Sequence, residues 1–430
     1  TVFRNIQVPS YQGAFSYTEN DDINDEGYPK AFPVKNERLK TATVDDFKKI
    51  PGAPIAYWAS ENSRKSFSKF SLLGHELKAR QGLATTDNNR FVRFWFEVPF
   101  ENIGFNMTSR EEAVNSSKRW FPMDKGGDYR KWYGNNIYIV DWELDGERIK
   151  DSINSKYPYL NGNPDFVAKN AGEYFKPGVT WSKVTSGNFS SRFSPAGSIF
   201  SDAGMKVVCD HEKALFVQGL LSSKVFAHLL SCLSETLNFE AGNISRIPLC
   251  VAPDATDIWR ECISLSRKDW DSTQISYDFM CHQLIQGGNA SLLKDVYDRI
   301  EENWLSCSER MRYLEQENNN LFAAAYSLSS EIDNNVSLDE ITLFCNAAYR
   351  YGNDLSIEEK SELIKGETIS DLLSYAIGCM MGRYSLDREG LVYAHEGNKG
   401  FAELVAAGAY KTFAADEDGI LPLMDSDWFD

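Results

Sequence analysis

The sequence predicts an α+β protein: a mixed α/β block over residues 51–250 followed by an all-helical domain over 251–430. Three observations carry this. Between residues 91 and 208, short apolar runs alternate at period two between Gly-rich turns, as half-buried strands require. Beyond Asp254 the apolar spacing lengthens to the period of amphipathic helices. The charge balance also changes: Lys and Arg number 24 against 20 Asp and Glu over 64–248, but 14 against 33 over 249–430.

Residues 1–50 read as an irregular arm with an acidic tract, TENDDINDEG (18–27). Pro51, Gly52 and Pro54 punctuate the chain before a helix-like segment from Ile55 to Phe70. In FVRFWFEV (91–98), Val92, Phe94, Phe96 and Val98 share one face and Phe91, Arg93, Trp95 and Glu97 the other, which predicts one strand. IYIVDWE (137–143), VTWSKVT (179–185) and SIFSDAGMKVV (198–208) read as strands too. Residues 212–233 predict a single helix of mixed small and large apolar residues, and Gly242 and Pro248 then break regularity. Further helices are predicted at 290–316, 338–351, 358–365, 369–381 and 401–413, with Asp339 and Glu340 suited to a helix N-terminus.

The 430 residues are 42% hydrophobic and 13% aromatic, ample for packed cores, and carry a net charge of −17. No apolar run approaches the ~20 residues that span a bilayer, and the first residues lack a signal peptide. No membrane association and a cytoplasmic location are expected. Eight cysteines without a C-x-x-C pair fit reduced, buried thiols. His282 abuts Cys281, too close along the chain to chelate one ion, so no metal is expected. A polyanion would be repelled by residues 249–430 and tolerated by the block before them.

Catalytic apparatus is mostly missing. Gly126-Gly127 and Gly287-Gly288 are isolated pairs, not a nucleotide-binding fingerprint. Glu76-Leu77-Lys78 resembles half of a magnesium nuclease site but lacks an upstream Pro-Asp, so it reads as a solvated charge pair. Asp141, Glu143, Asp145 and Glu147 alternate as acids solvating a strand edge would.

Binding chemistry is better represented. KARQGLATTDNNR (78–90) offers Arg80, Gln81, Thr85, Asn88, Asn89 and Arg90 on a Gly- and Asn-rich loop. DKGGDYRKWYGNN (124–136) offers Lys125, Arg130, Lys131 and Asn135 beside Trp132 and Tyr133. WSKVTSGNFSSRFS (181–194) offers Lys183, Ser186, Asn188 and Arg192. Arg and Lys suit phosphates or guanine edges, and Asn and Gln pair bidentately with adenine. Three such loops on one scaffold would make one cationic face toward double-stranded DNA. The aromatics serve equally well as core with the basic residues solvating it, and composition leaves both readings open.

Four blocks, KARQGLATTDNNRFVRFWFEV (78–98), KGGDYRKWYGNNIYIVDWE (125–143), the stretch 174–204 and the stretch 220–249, resemble in order the target-recognition part of the PglX family. These are adenine-specific DNA methyltransferases of bacterial BREX phage-defence systems, related to Type IIG restriction-modification enzymes. PGAPIAYWAS (51–60) resembles the entry to that region, and residues 262–279 and 374–394 its helical continuation. The resemblance implies a DNA target-recognition domain over 51–250 and residues 1–50 as the tail of a methyltransferase domain outside this chain. That domain would bind S-adenosylmethionine; no cofactor is expected on this chain. The family's glycine motif and Asn-Pro-Pro-Tyr motif are both missing, and Asn163-Pro164-Asp165-Phe166 is no substitute. Thr1 in place of Met fits a processed end or a piece of a longer protein, and the resemblance implies continuation past DGILPLMDSDWF (418–429). Other BREX proteins are expected partners. A stand-alone specificity subunit and an acidic protein-interaction scaffold are the alternatives.

Overall fold

A computed structural model describes residues 11–31, 38–185, 187–233, 238–251, 253–286, 292–394 and 399–416. The four sequence-predicted strand segments supply five strands of two four-stranded sheets, and Lys78–Arg80, Trp120–Asp124 and Ser191–Ser194, not expected from the sequence, supply the rest. One runs, in spatial order, Ile199–Phe200, Trp120–Asp124, Tyr138–Asp141, Val92–Phe94, with the first pair parallel and the others antiparallel. The other is antiparallel throughout, in the order Lys78–Arg80, Gly204–Val208, Gly178–Ser182, Ser191–Ser194. The expected single strand over 198–208 is thus two strands, one in each sheet, joined by the turn at 201–204.

The run 91–98 departs most from its pattern. Phe91 closes a short helix, Asn88–Phe91, capped by Asp87, whose side chain accepts from the Arg90 amide. Only Val92–Phe94 is strand, and Trp95–Glu97 forms a helical turn. Phe91 and Val92, expected on opposite faces, are both buried while Phe96, expected on the face of Val92, is 44% exposed, so burial here follows the local turns rather than alternation.

The helix expected over 212–233 is two, His211–Leu221 and Lys224–Leu233, bent by 75°. Two side chains complete the corner: Ser223 Oγ accepts from the Phe226 amide at 3.1 Å and Asn319 Oδ1 from the Lys224 amide at 2.9 Å. No single helix among the described residues is long and apolar enough to cross a membrane. Glu61–Lys69 replaces the longer 55–70 segment because Ser60 caps it at the Ser63 amide. Leu293–Ala325 outruns its predicted end, and Ile357–Met380 fuses two predicted helices through Gly366. The 338–351 segment breaks in two, since Asn346 Nδ2 donates to the Leu338 and Ile341 carbonyls and its oxygen caps Ala347–Tyr351. Phe401–Ala406 is shorter than predicted.

One core joins the two expected domains. Val179, Trp181 and Val207 of the second sheet pack in the same cluster as Leu215, Phe226, Trp259, Leu314 and Phe322 from four helices. A polar lock sits inside it: Trp259 Nε1 donates to Asn318 Oδ1 at 2.8 Å, and Asn318 Nδ2 to the Gly219 carbonyl at 3.0 Å. Only glycine fits at 219, because a Cβ there would lie 2.1 Å from Trp259 Nε1. The first sheet has a separate core with Ile149 and Ile153 of the helix that follows Trp142.

All eight cysteines are free. His282 Nδ1 accepts from the Leu284 amide at 3.2 Å, a structural role, and no metal-binding group occurs among the described residues. The alternating acids do not solvate an edge. Asp141 is buried between Arg119 and Arg148, and Asp145 is clasped by Arg110 and Lys150.

Candidate nucleic-acid interface

The roots of the three candidate loops meet at the turn 201–204. Leu83 O accepts from the Asp202 amide at 3.0 Å, Asp124 O from the Ser201 amide at 2.9 Å, and Ala203 O from the Lys183 amide at 2.8 Å. Gly82 is required at this junction: a Cβ would lie 1.9 Å from the Phe200 carbonyl oxygen.

Beyond the roots, the loops behave differently. The first is exposed at its tip and braced from within. Thr85, buried, donates its hydroxyl to Asn88 Oδ1 at 2.6 Å, and Arg93 Nη1 donates to the Asn89 carbonyl at 2.6 Å. Asn88, Asn89 and Arg90 are left exposed on a fixed backbone. Arg80 and Gln81, half-buried, lead into this tip.

The second loop turns inward, which overturns its expected exposure. Arg130 is 3% exposed and pairs with Asp269 at 2.9 Å, its guanidinium also donating to the Tyr133 and Ser266 carbonyls. Lys131 is 7% exposed and pairs with Glu315, whose other oxygen accepts from Trp132 Nε1 at 2.8 Å. Burial alone would lower the Lys131 pKa, but the Glu315 charge holds it above the usual lysine value. Neither cation can meet phosphate without first leaving a buried carboxylate. Asn135 donates to the Asp128 carbonyl at 2.9 Å and is half-buried. Lys125, also half-buried, lies over the Tyr138 ring at 4.5 Å.

The third loop is divided. Arg192 is 1% exposed, and burial pushes its pKa down to about 10 despite Asp124 nearby, so it too leaves the surface set. Lys183 pairs with Glu240 at 3.0 Å. Asn188 is exposed, and Ser186 lies outside the described residues.

A segment that sequence reasoning passed over joins the first loop. Lys156 Nζ donates to the Thr86 carbonyl at 2.9 Å, Lys169 Nζ to Gln81 Oε1 at 3.0 Å, and Asn170 Nδ2 to the Gln81 carbonyl at 2.9 Å. Lys156 and Asn170 are exposed, as are the aromatics Tyr159 and Phe166, at 69% and 64%. The signal was present in KYPYLNGNPDFVAKN (156–170): lysine near each end of a run of Asn, Gly, Pro and aromatics, with Asn161 and Asn170 at positive φ. The surface face therefore comprises Gln81, Asn88, Asn89 and Arg90 with Lys156, Lys169 and Asn170.

No family model matches this chain. Two curated proteins do match. The chain is 38% identical over 398 residues to an adenine-specific methyltransferase named BrxX from Escherichia coli O9:H4 (strain HS), covering 91% of this chain and 31% of that protein. It is 32% identical over 392 residues to an adenine-specific methyltransferase named PglX from Lacticaseibacillus casei (strain Zhang), covering 89% and 30%. The chain spans about a third of the length of these relatives.

Proposed function

From homology over about nine-tenths of its length to proteins named adenine-specific methyltransferases, we propose that this chain reads duplex DNA for a site-specific adenine-N6 methyltransferase of a BREX phage-defence system. The observation that carries the reading is the exposed tip Asn88, Asn89 and Arg90, held on a braced backbone with Lys156 and Asn170 bonded to the same loop. Arg90, Lys156 and Lys169 supply phosphate contacts, and Gln81, Asn88, Asn89 and Asn170 supply the base-edge chemistry that discriminates sequence.

S-adenosylmethionine and the methyl transfer belong to a catalytic domain outside these residues. The nearest sequence likeness to an adenine-gripping motif does not fit: Asn163 Oδ1 caps its own turn at the Asp165 amide, 3.0 Å away, and Phe166 stands in solvent. Other BREX proteins are partners on this reading, in the bacterial cytoplasm.

The test is fluorescence anisotropy of a labelled duplex against this chain at 50 and 200 mM salt. Several phosphate contacts predict affinity that falls steeply with salt, by roughly tenfold for every two contacts. Salt-independent binding, or none at low salt, would remove the proposal.

A further inference from the structure

A narrow cleft opens beside Asp124, lined in part by Tyr133 and Asn136 of the second loop and Ser194 of the third. Its floor is the Asp124 carboxylate and its walls include Tyr133, Asn136, Tyr138, Phe105 and Ala196. The free volume is about 50 Å³, room for a few water-sized groups in a row. That suits the edge of a flat ring and excludes a bulky ligand.

The floor is rigidly built. Asp124 Oδ2 accepts from Ser194 Oγ at 2.8 Å, Ser198 Oγ at 2.7 Å and Lys206 Nζ at 3.3 Å. Lys206 is fully buried and also donates to Ser194 Oγ at 2.8 Å. Every one of these bonds ends on Oδ2; no donor from the described residues reaches Oδ1. Lys206 balances the Asp124 charge, and the other charged pair lining the cleft, Arg267 and Asp278, is closed on itself at 3.1 Å, so the cleft carries no surplus negative charge and favours a neutral N–H donor over a cation.

The approach to the cleft is a stack of rings. Phe96, exposed, stacks on Phe94 with centroids 5.3 Å apart and 12° between planes, and Phe94 stacks on Tyr138 at 5.2 Å and 28°. Lys125 lies over Tyr138, the ring that ends the stack and lines the cleft. A series of parallel rings beside a lysine, ending at a fixed acceptor and an amide, has the chemistry of a nucleobase platform.

We infer that this cleft binds one unstacked nucleobase carrying an exocyclic amine, adenine or cytosine, its amino edge toward Asp124 and the rest of its ring outside the cleft mouth beside Tyr138 and Lys125. The inference rests on the DNA-reading proposal above. An unpaired base costs least to extrude, so a duplex with one bulged adenine or cytosine binds about tenfold tighter than the fully paired duplex or one with a bulged thymine.

The experiment measures the affinity of the chain for those duplexes, in wild type and in two variants that plug the cleft from opposite sides, Asn136→Leu and Ala196→Trp. Thermal melting identifies any variant that fails to fold, and the wild-type comparison decides without them. The expected result is a bulge preference in wild type that either folded plug removes while leaving paired-duplex affinity unchanged. Wild-type binding without bulge preference, or a preference that survives both folded plugs, overturns the cleft assignment and leaves the DNA surface standing. No binding to any duplex overturns both.

Discussion

Arg130 and Asp269 form a 2.9 Å ion pair in the interior, joining the loop between Trp120–Asp124 and Tyr138–Asp141 of the first sheet to the helix Thr256–Asp271. Asp269 also accepts from the Phe344 and Cys345 amides at 2.7 and 2.9 Å. A carboxylate with this many donors holds the α/β block and the helical block in one register. Asp269→Ala strands a buried guanidinium and two amides, and lowers unfolding free energy by about 3–5 kcal/mol in urea denaturation. A loss under about 1 kcal/mol would show that the pair is dispensable to the fold.

Gly82 sets the junction of the loops, since a Cβ there meets a backbone carbonyl that cannot swing aside. Gly82→Ala is expected to cost about 2 kcal/mol or more in thermal unfolding. It should also weaken duplex affinity, because the Leu83–Asp202 bond is displaced with it. A stability and affinity equal to wild type would contradict the junction.

On the exposed face, charge and amide groups make different contributions. Arg90→Ala and Lys156→Ala should each weaken binding to all sequences alike and reduce the slope of log affinity against log salt by about 1. Asn88→Ala and Asn89→Ala should leave that slope unchanged and relax sequence preference by roughly 1–3 kcal/mol per lost base contact. Anisotropy across a salt series on matched and mismatched duplexes separates the two.

Acid should loosen the Arg110–Asp145 clasp. Burial alone would raise the Asp145 pKa, but hydrogen bonds from Arg110 and Lys150 outweigh it and hold the carboxyl below its ordinary value of 3.8. A folded-state pKa below the unfolded one means stability that is full above about pH 4 and is lost as pH falls through the folded value. Asp145→Asn should therefore be less stable than wild type at pH 6 and approach it at low pH, as followed by circular dichroism. Parallel curves over the whole range would contradict the clasp.

Much of the fold was legible because strands and long helices write their period into the chain. Tyr138–Asp141, Gly178–Ser182 and the helix Leu293–Ala325 fall where alternation and amphipathic spacing place them. The corner at Ser222-Ser223 was not legible, since its capping partner Asn319 lies 95 residues beyond Lys224. The same distance problem governs the candidate face. Arg130 and Lys131 have the composition of a phosphate-binding loop, yet their carboxylate partners lie 139 and 184 residues away. A basic residue beside Trp132 reads identically whether it solvates the surface or neutralises a buried acid. By contrast, Asn88, Asn89 and Arg90 stayed exposed because Asp87 and Thr85, their immediate neighbours, fix the backbone beneath them.

DNA reading by this chain requires the Asn88–Arg90 tip to lie against the duplex. Site-specific photo-crosslinking tests it directly, with a photoreactive amino acid placed at Asn89 or, as control, at Leu305 on the acidic helix, which is 63% exposed. A tip seated on the duplex gives a crosslink to DNA from position 89, suppressed at high salt, and none from position 305. Crosslinking from 305 with none from 89 would contradict it.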